Sequence, residues 1–200
     1  MVLFIAVILL VLLIPAYHGP TTGGPKAIAR NELNQIITAI TAYHTDYGAY
    51  PISPSISHKT DVVYGNPGSL HYNSEIINVL RADGTDPGPN FQNALNTQKQ
   101  IYLDVPTVKD PTNPKNGLGT GKEPNGITTP GEWYDPWGTP YMIFIDANDD
   151  GICDLGLVYS DFTSTAPHPA NPHTSVAAAS LGPDKQLAQK VTESTQTPTT

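Results

Sequence analysis

The sequence predicts an α+β fold: a long N-terminal helical run, broken by a Gly/Pro spacer, packed on a small antiparallel sheet with long loops. Three observations lead there. The chain has 17 Gly and 20 Pro among 200 residues, well above the usual ~12%, so most of it is turn and loop. Helical periodicity is concentrated near the N-terminus, apart from short stretches at Asn73–Arg81 and within 89–100. The remaining apolar runs are short and bounded by Gly, Pro, Asn and Asp, the pattern of brief strands.

Composition bounds the function. Only 14% of residues are charged and the net charge is −8. Ten Lys and Arg spread along the chain offer no basic face for phosphate neutralisation, which excludes nucleic acid as a partner. A single cysteine excludes an intrachain disulfide and a cysteine-based zinc cluster.

The first element is the run Val2, Leu3, Phe4, Ile5, Ala6, Val7, Ile8, Leu9, Leu10, Val11, Leu12, Leu13 and Ile14, ended by Pro15. As a helix, residues 1–16 are ~24 Å long, short of the ~30 Å hydrocarbon core. No basic residue precedes Lys26 and no small-residue cleavage site follows, so the run does not read as a secretory signal. Twelve of its thirteen side chains are larger than Ala. Exposing them to water would cost on the order of 20–30 kcal/mol. They are expected to lie in lipid or against identical copies rather than inside a small domain.

Residues 17–25, with Gly19, Pro20, Gly23, Gly24 and Pro25, are expected to form a hinge or extended spacer that no continuous helix crosses. From Lys26 to Tyr47 a stripe of Leu33, Ile36, Ile37, Ile40, Tyr43 and Tyr47 restores helical spacing. Gly48 and Pro51 then stop the helix. A head over 26–190 follows, with a Ser/Thr-rich tail at 191–200. Within the head, Asn73–Arg81 reads as a short helix capped by Ser74, and residues 89–100 as a possible second one. Residues 101–105, 140–146, 155–160 and 175–181 read as strands. Trp137, between the turn residues Pro136 and Gly138, is expected to plug the core.

Four blocks of this sequence resemble the type IV pilin-like family, and most closely the major (G-type) pseudopilin of type II secretion systems. They are the apolar run ending in Ile14-Pro15-Ala16-Tyr17; Tyr43, Asp46, Gly48, Tyr50 and Pro51 at the end of the second helical stretch; Asp135-Pro136-Trp137-Gly138-Thr139-Pro140-Tyr141; and Ser180-Leu181-Gly182-Pro183-Asp184. Residues 52–130 match poorly. The resemblance implies a pilin-like fold and a subunit that catalyses nothing. Such a subunit waits in the inner membrane, is handled by secretion or pilus assembly machinery, and polymerises with identical subunits. The product is a periplasmic pseudopilus or an extracellular filament. Val2–Pro15 would form the assembly segment. Family members begin with Gly-Phe-Thr-Leu-x-Glu, which is not found here, so the resemblance places the mature start about seven residues upstream, a total of roughly 23 helical residues and ~34 Å.

The loop after the 140s strand offers a separate signal. Asp146, Asn148, Asp150 and Asp154 take positions 1, 3, 5 and 9 of an EF-hand-like pattern, with Gly151 at position 6 and the Ile152 carbonyl at position 7. Calcium wants 6–8 oxygens, and alternate residues of a tight loop can aim theirs at one centre. Position 12 is Leu157, so the remaining ligand falls to Asp161 or Asp184. Seven acidic residues and no Lys or Arg lie between 130 and 170, a repulsion that a divalent cation would relieve. The alternative is a solvated Asp/Asn-rich turn. The resemblance adds weight to Ca²⁺, since G-type pseudopilins bind it near their Ser-x-Gly-x-Asp loop, although the ligands would not map one for one.

Other motifs carry less. Cys153 reads as a small core residue. The stretch Gly117–Glu123 lacks the first Gly and the Ser/Thr of a phosphate loop, and reads as a flexible loop. His168 and His173 lie in a Pro-rich stretch. Nucleophile–base signatures are missing, which disfavours a tethered enzyme. The competing function is a membrane-tethered, calcium-binding extracellular module that never polymerises.

Overall fold

The computed structural model describes residues 23–66, 71–121, 130–154 and 171–186. The apolar run, the start of the spacer, residues 155–160, Asp161, His168 and the tail lie outside the described residues. Among the described residues no helix is long and apolar enough to cross a membrane.

The architecture is α+β. Helix α1 (Gly23–Tyr47) is followed by strand β1 (Val62–Tyr64), helix α2 (Ser74–Leu80), a 3-10 turn at Phe91–Asn93, and strands β2 (Gly117–Leu118), β3 (Trp133–Tyr134), β4 (Met142–Ile145) and β5 (Val176–Ala179). The main sheet has the order β1-β4-β5 and is antiparallel throughout, with Val62 opposite Ile145 and Ile145 opposite Val176. β2 and β3 form a separate antiparallel pair.

α1 starts earlier than the Gly/Pro content predicts. Gly23, Gly24 and Pro25 are its first three residues, so the end of the spacer is helical. Proline fits there because the first N–H groups of a helix have no intrahelical acceptor. The apolar stripe behaves as its spacing dictates. Ile36, Ile40 and Tyr43 are buried, and Leu33, Ile37 and Tyr47 pack against the same core. Gly48 closes the helix in the left-handed region (φ 67°), its N–H donating to the His44 carbonyl at 2.8 Å.

β4 is central and all four of its residues are buried. Its side chains alternate between two clusters. Ile143 and Ile145 join the core under α1, while Met142 and Phe144 pack with Cys153 and Leu181 on the other face. α1 lies against the edge strand β5. Val176 and Ala178 face the core under α1, whereas Ala177 and Ala179 pack with the cluster on the other face of the sheet.

Several local expectations change. Residues 101–105 are extended but belong to no sheet. The amides of Tyr102 and Leu103 both donate to the Leu80 carbonyl at the end of α2, which holds Leu103 and Val105 in the core. Residues 89–100 form only the short 3-10 turn, with Gln92 and Asn93 at positive φ. The side chains of Asn90 and Asn96 take over the bonding there. Asn90 Oδ1 accepts from the amides of Leu95 and Asn96. Asn96 Nδ2 donates to the carbonyls of Val79 and Gln100. Such local side-chain bonding competes with helix. Asn73, not Ser74, occupies the N-cap of α2, yet its side chain makes no cap bond. The Gly117–Glu123 stretch is not wholly a loop, since Gly117 and Leu118 pair with Tyr134 and Trp133. Trp137 is only half-buried. The tryptophan in the core is Trp133, packed edge-on to Tyr141 with ring centroids 5.5 Å apart.

Candidate functional site

The acidic loop begins where β4 ends. Asp146 is 1% exposed, and its carboxylate folds the loop. Oδ1 accepts from the Asp150 amide at 3.2 Å and Oδ2 from the Gly151 amide at 2.8 Å. Asn148 Nδ2 donates to Asp150 Oδ2 at 2.9 Å, and Asp150 Oδ1 accepts from the Ile152 amide at 2.9 Å. Asp149 and Gly151 take φ values of 60° and 78° to make the turn. Asn148, Asp150 and Asp154 are exposed.

Sequence reasoning missed one member of this cluster. Asp61 lies one step beyond the Val62–Ile145 pair, which sets it across from Asp146. Its Oδ2 accepts from the Asp154 amide at 2.6 Å, and its buried Oδ1 accepts no hydrogen bond. Burial holds the Asp61 carboxyl above its ordinary range. The Asp154 amide pulls the other way, and the charges of Asp146, Asp150 and Asp154 add to the upward push. The only signal for Asp61 was its place ahead of a Val-Val pair, and the strand register that gives it meaning was not legible.

The predicted ligands therefore divide. Asp146, Asn148 and Asp150 are tied to one another, with Ile152 bonded through its amide. Asp154 is tied to Asp61 and accepts from Asn171 at 3.2 Å. Asp184 makes a local turn contact with the Gln186 amide, and Asp161 lies outside the described residues. The donor chemistry fits a hard cation, because every candidate offers oxygen and one buried carboxylate oxygen has no hydrogen-bond donor. As folded, the carboxylates do not converge. Among the described residues no group of three or more His, Cys, Asp or Glu is arranged to hold a metal ion. Cys153 is fully buried, and burial, followed by the charges of Asp61 and Asp146, pushes its thiol up to about 12. It is a core side chain, as its position in the loop suggested.

Three buried polar groups fix the head around this loop. Asp135 is 0% exposed. Its Oδ1 accepts from the amides of Trp137, Gly138 and Thr139 at 2.8–2.9 Å. Its Oδ2 accepts from the hydroxyls of Thr139 at 2.7 Å and Ser180 at 2.6 Å. The two downstream sequence blocks are thus joined through one carboxylate. Asn73 bridges β3 to the start of β4, with Nδ2 donating to the Trp133 and Tyr141 carbonyls and Oδ1 accepting from the Trp133 amide. The Tyr141 hydroxyl donates to Glu32 on α1, and burial raises the Glu32 carboxyl above its usual range. These groups tie α1 to the sheet and join the turns of the head.

Comparison with protein-family models, with curated protein sequences and with solved structures finds no match for this chain.

Proposed function

We propose that the chain is the structural subunit of a type IV pilin-like filament, most like the major pseudopilin of type II secretion systems, and that it acts by assembly rather than catalysis. One observation carries this reading. A 25-residue helix, α1, follows a thirteen-residue apolar run in sequence, and its first nine residues are exposed or part-exposed except Ala29. A helix whose start stands clear of the head, at the end nearest a greasy segment, suits a subunit whose apolar segment packs among its neighbours. The joining of the Asp135 and Ser180 blocks and the packing of the Tyr43 block under the head support the same reading.

In this reading the subunit waits in the inner membrane with residues 2–15 in lipid. Secretion or pilus assembly machinery then extracts it, and those residues bundle with identical copies in a periplasmic pseudopilus or an extracellular filament. Burying twelve large apolar side chains among neighbours supplies the driving force. Calcium, held by Asp146, Asn148, Asp150, the Ile152 carbonyl and Asp154 with a further acid, would pin the acidic loop. Because the donors do not converge in the folded loop, the exposed side chains of Asn148, Asp150 and Asp154 must turn inward to ligate.

The test is electron microscopy of cells that carry the full chain together with pilus or pseudopilus assembly machinery. Filaments that disappear when Leu9 and Leu13 are replaced by Asp support the proposal. A full chain that stays monomeric in water without detergent overturns it. A membrane-bound monomer under all conditions leaves the tethered calcium-binding module as the better reading.

A further inference from the structure

The charge on the head is separated along α1. Lys26, Arg30 and Asn34, at i, i+4 and i+8, share one face at the helix start. Lys26 and Arg30 are exposed, and neither enters an ion pair among the described residues. At the other end the last turn of α1 opens into a cleft of about 440 Å³. Tyr43, His44, Tyr47, Tyr50 and His58 wall it, the exposed Asp149 supplies its accessible carboxylate, and the buried Asp146 lies behind it. The rings are paired, with Tyr43 stacked on Tyr47 at 4.4 Å and His44 on Tyr50 at 4.2 Å. Aromatic faces beside carboxylates attract cations, and guanidinium and ammonium groups best of all. A cleft of this size takes side chains rather than a helix ~10–12 Å across.

We infer that the basic face at the start of α1 in one copy docks its Lys26 and Arg30 into the aromatic, carboxylate-edged cleft at the end of α1 in a second copy. The contact rests on the filament reading and gives that reading a specific joint between heads. Charge complementarity selects the partner, since the chain carries both halves, the basic one at the start of α1 and the carboxylate one in the loop after β4 that stands beside the end of α1. From Arg30 to Tyr47 is roughly 25 Å along the axis at ~1.5 Å per residue. Parallel copies held side by side through their apolar N-terminal runs, and staggered by about that rise, bring one helix start level with the next cleft. The two surfaces differ, so the contact is heterologous and repeats without closing.

Two measurements on the full chain, made in cells with assembly machinery, test this. In a Cys153→Ser background, Arg30→Cys with Asp149→Cys should give a ladder of disulfide-linked multimers on mild oxidation, and neither single cysteine should. Separately, Arg30→Glu or Asp149→Lys alone should lower filament yield roughly tenfold or more, because like charges then face each other, while the double exchange should restore it. Filaments that form normally with no ladder and no response to the exchange overturn this contact and leave the filament reading standing. Strong dimerisation of Arg30→Cys alone also overturns it, since helix starts would then meet each other. A chain that never assembles in any variant overturns both.

Discussion

The Ser180 hydroxyl donates a 2.6 Å hydrogen bond to Oδ2 of the fully buried Asp135, joining two turns 45 residues apart in sequence. A buried carboxylate is tolerated only when its lone pairs are satisfied. Here three amides and the Thr139 hydroxyl supply the rest. Ser180→Ala should cost about 1.5–3 kcal/mol, the range for a hydrogen bond to a charged group. Asp135→Ala should cost more, because it strands several donors at once. Urea denaturation followed by tryptophan fluorescence checks both, since Trp133 and Trp137 flank Asp135. Equal stability of Ser180→Ala and the parent would show that the two turns hold without their link.

The contact between Tyr141 and Glu32 predicts a pH dependence. Burial raises the Glu32 carboxyl above 4.5, the Tyr141 hydroxyl bond opposes that, and the Asp135 charge adds to it. With a raised folded value, stability is full below the ordinary value and falls as pH rises through the window up to the folded one, because the unfolded chain ionises first. Asp61 works in the same direction from 3.8. Glu32→Gln should flatten this decline and leave stability at pH 7 equal or higher. Tyr141→Phe should steepen it, having removed the bond that favours the ionised form. Stability measured from pH 4 to pH 8 for the three chains decides, and parallel curves would refute the assignment.

Gly138 and Gly151 both take left-handed φ values, 90° and 78°, but their surroundings differ. A Cβ at Gly138 would lie 2.8 Å from the Pro114 carbonyl oxygen, while one at Gly151 would meet nothing within 4 Å. Gly151→Ala should therefore cost only the backbone strain, about 1–2 kcal/mol. Gly138→Ala should cost clearly more, because backbone must move. Thermal melts of the two variants side by side check the order.

Much of this architecture was legible because it follows from periodicity. The stripe from Leu33 to Tyr47 needed only helical spacing, and Met142–Ile145 needed only its unbroken apolar run. β1, β2 and β3 were not legible, since strands of two or three residues are defined by partners far away in sequence. The same reason hid Asp61, whose place in the acidic cluster comes from the register of β1 on β4. Trp137 misled because turn residues suggested a plug, whereas Trp133, two residues before Asp135, is the one that Asn73 and Tyr141 hold inside. The acidic loop was visible as a pattern of oxygens, but its internal hydrogen bonds were not.

Those internal bonds set the last prediction. The Asp146 carboxylate already organises the loop through the amides of Asp150 and Gly151, and Asp61, Asp146, Asp150 and Asp154 repel one another. A cation that neutralised them would stabilise the fold by mass action, about 2.7 kcal/mol at a free concentration one hundred times Kd. Calcium should therefore raise the melting temperature of the full chain in detergent, and EGTA should lower it. Protons compete with calcium for these carboxylates, and burial holds Asp61 above its usual range, so the calcium effect should weaken as the pH falls. Asp146→Ala with Asp150→Ala should abolish the calcium response and lower stability even in EGTA, because the amides of Asp150 and Gly151 lose their acceptors. Identical melting with and without EGTA in the parent chain would make this loop a solvated turn whose aspartates serve only its own backbone.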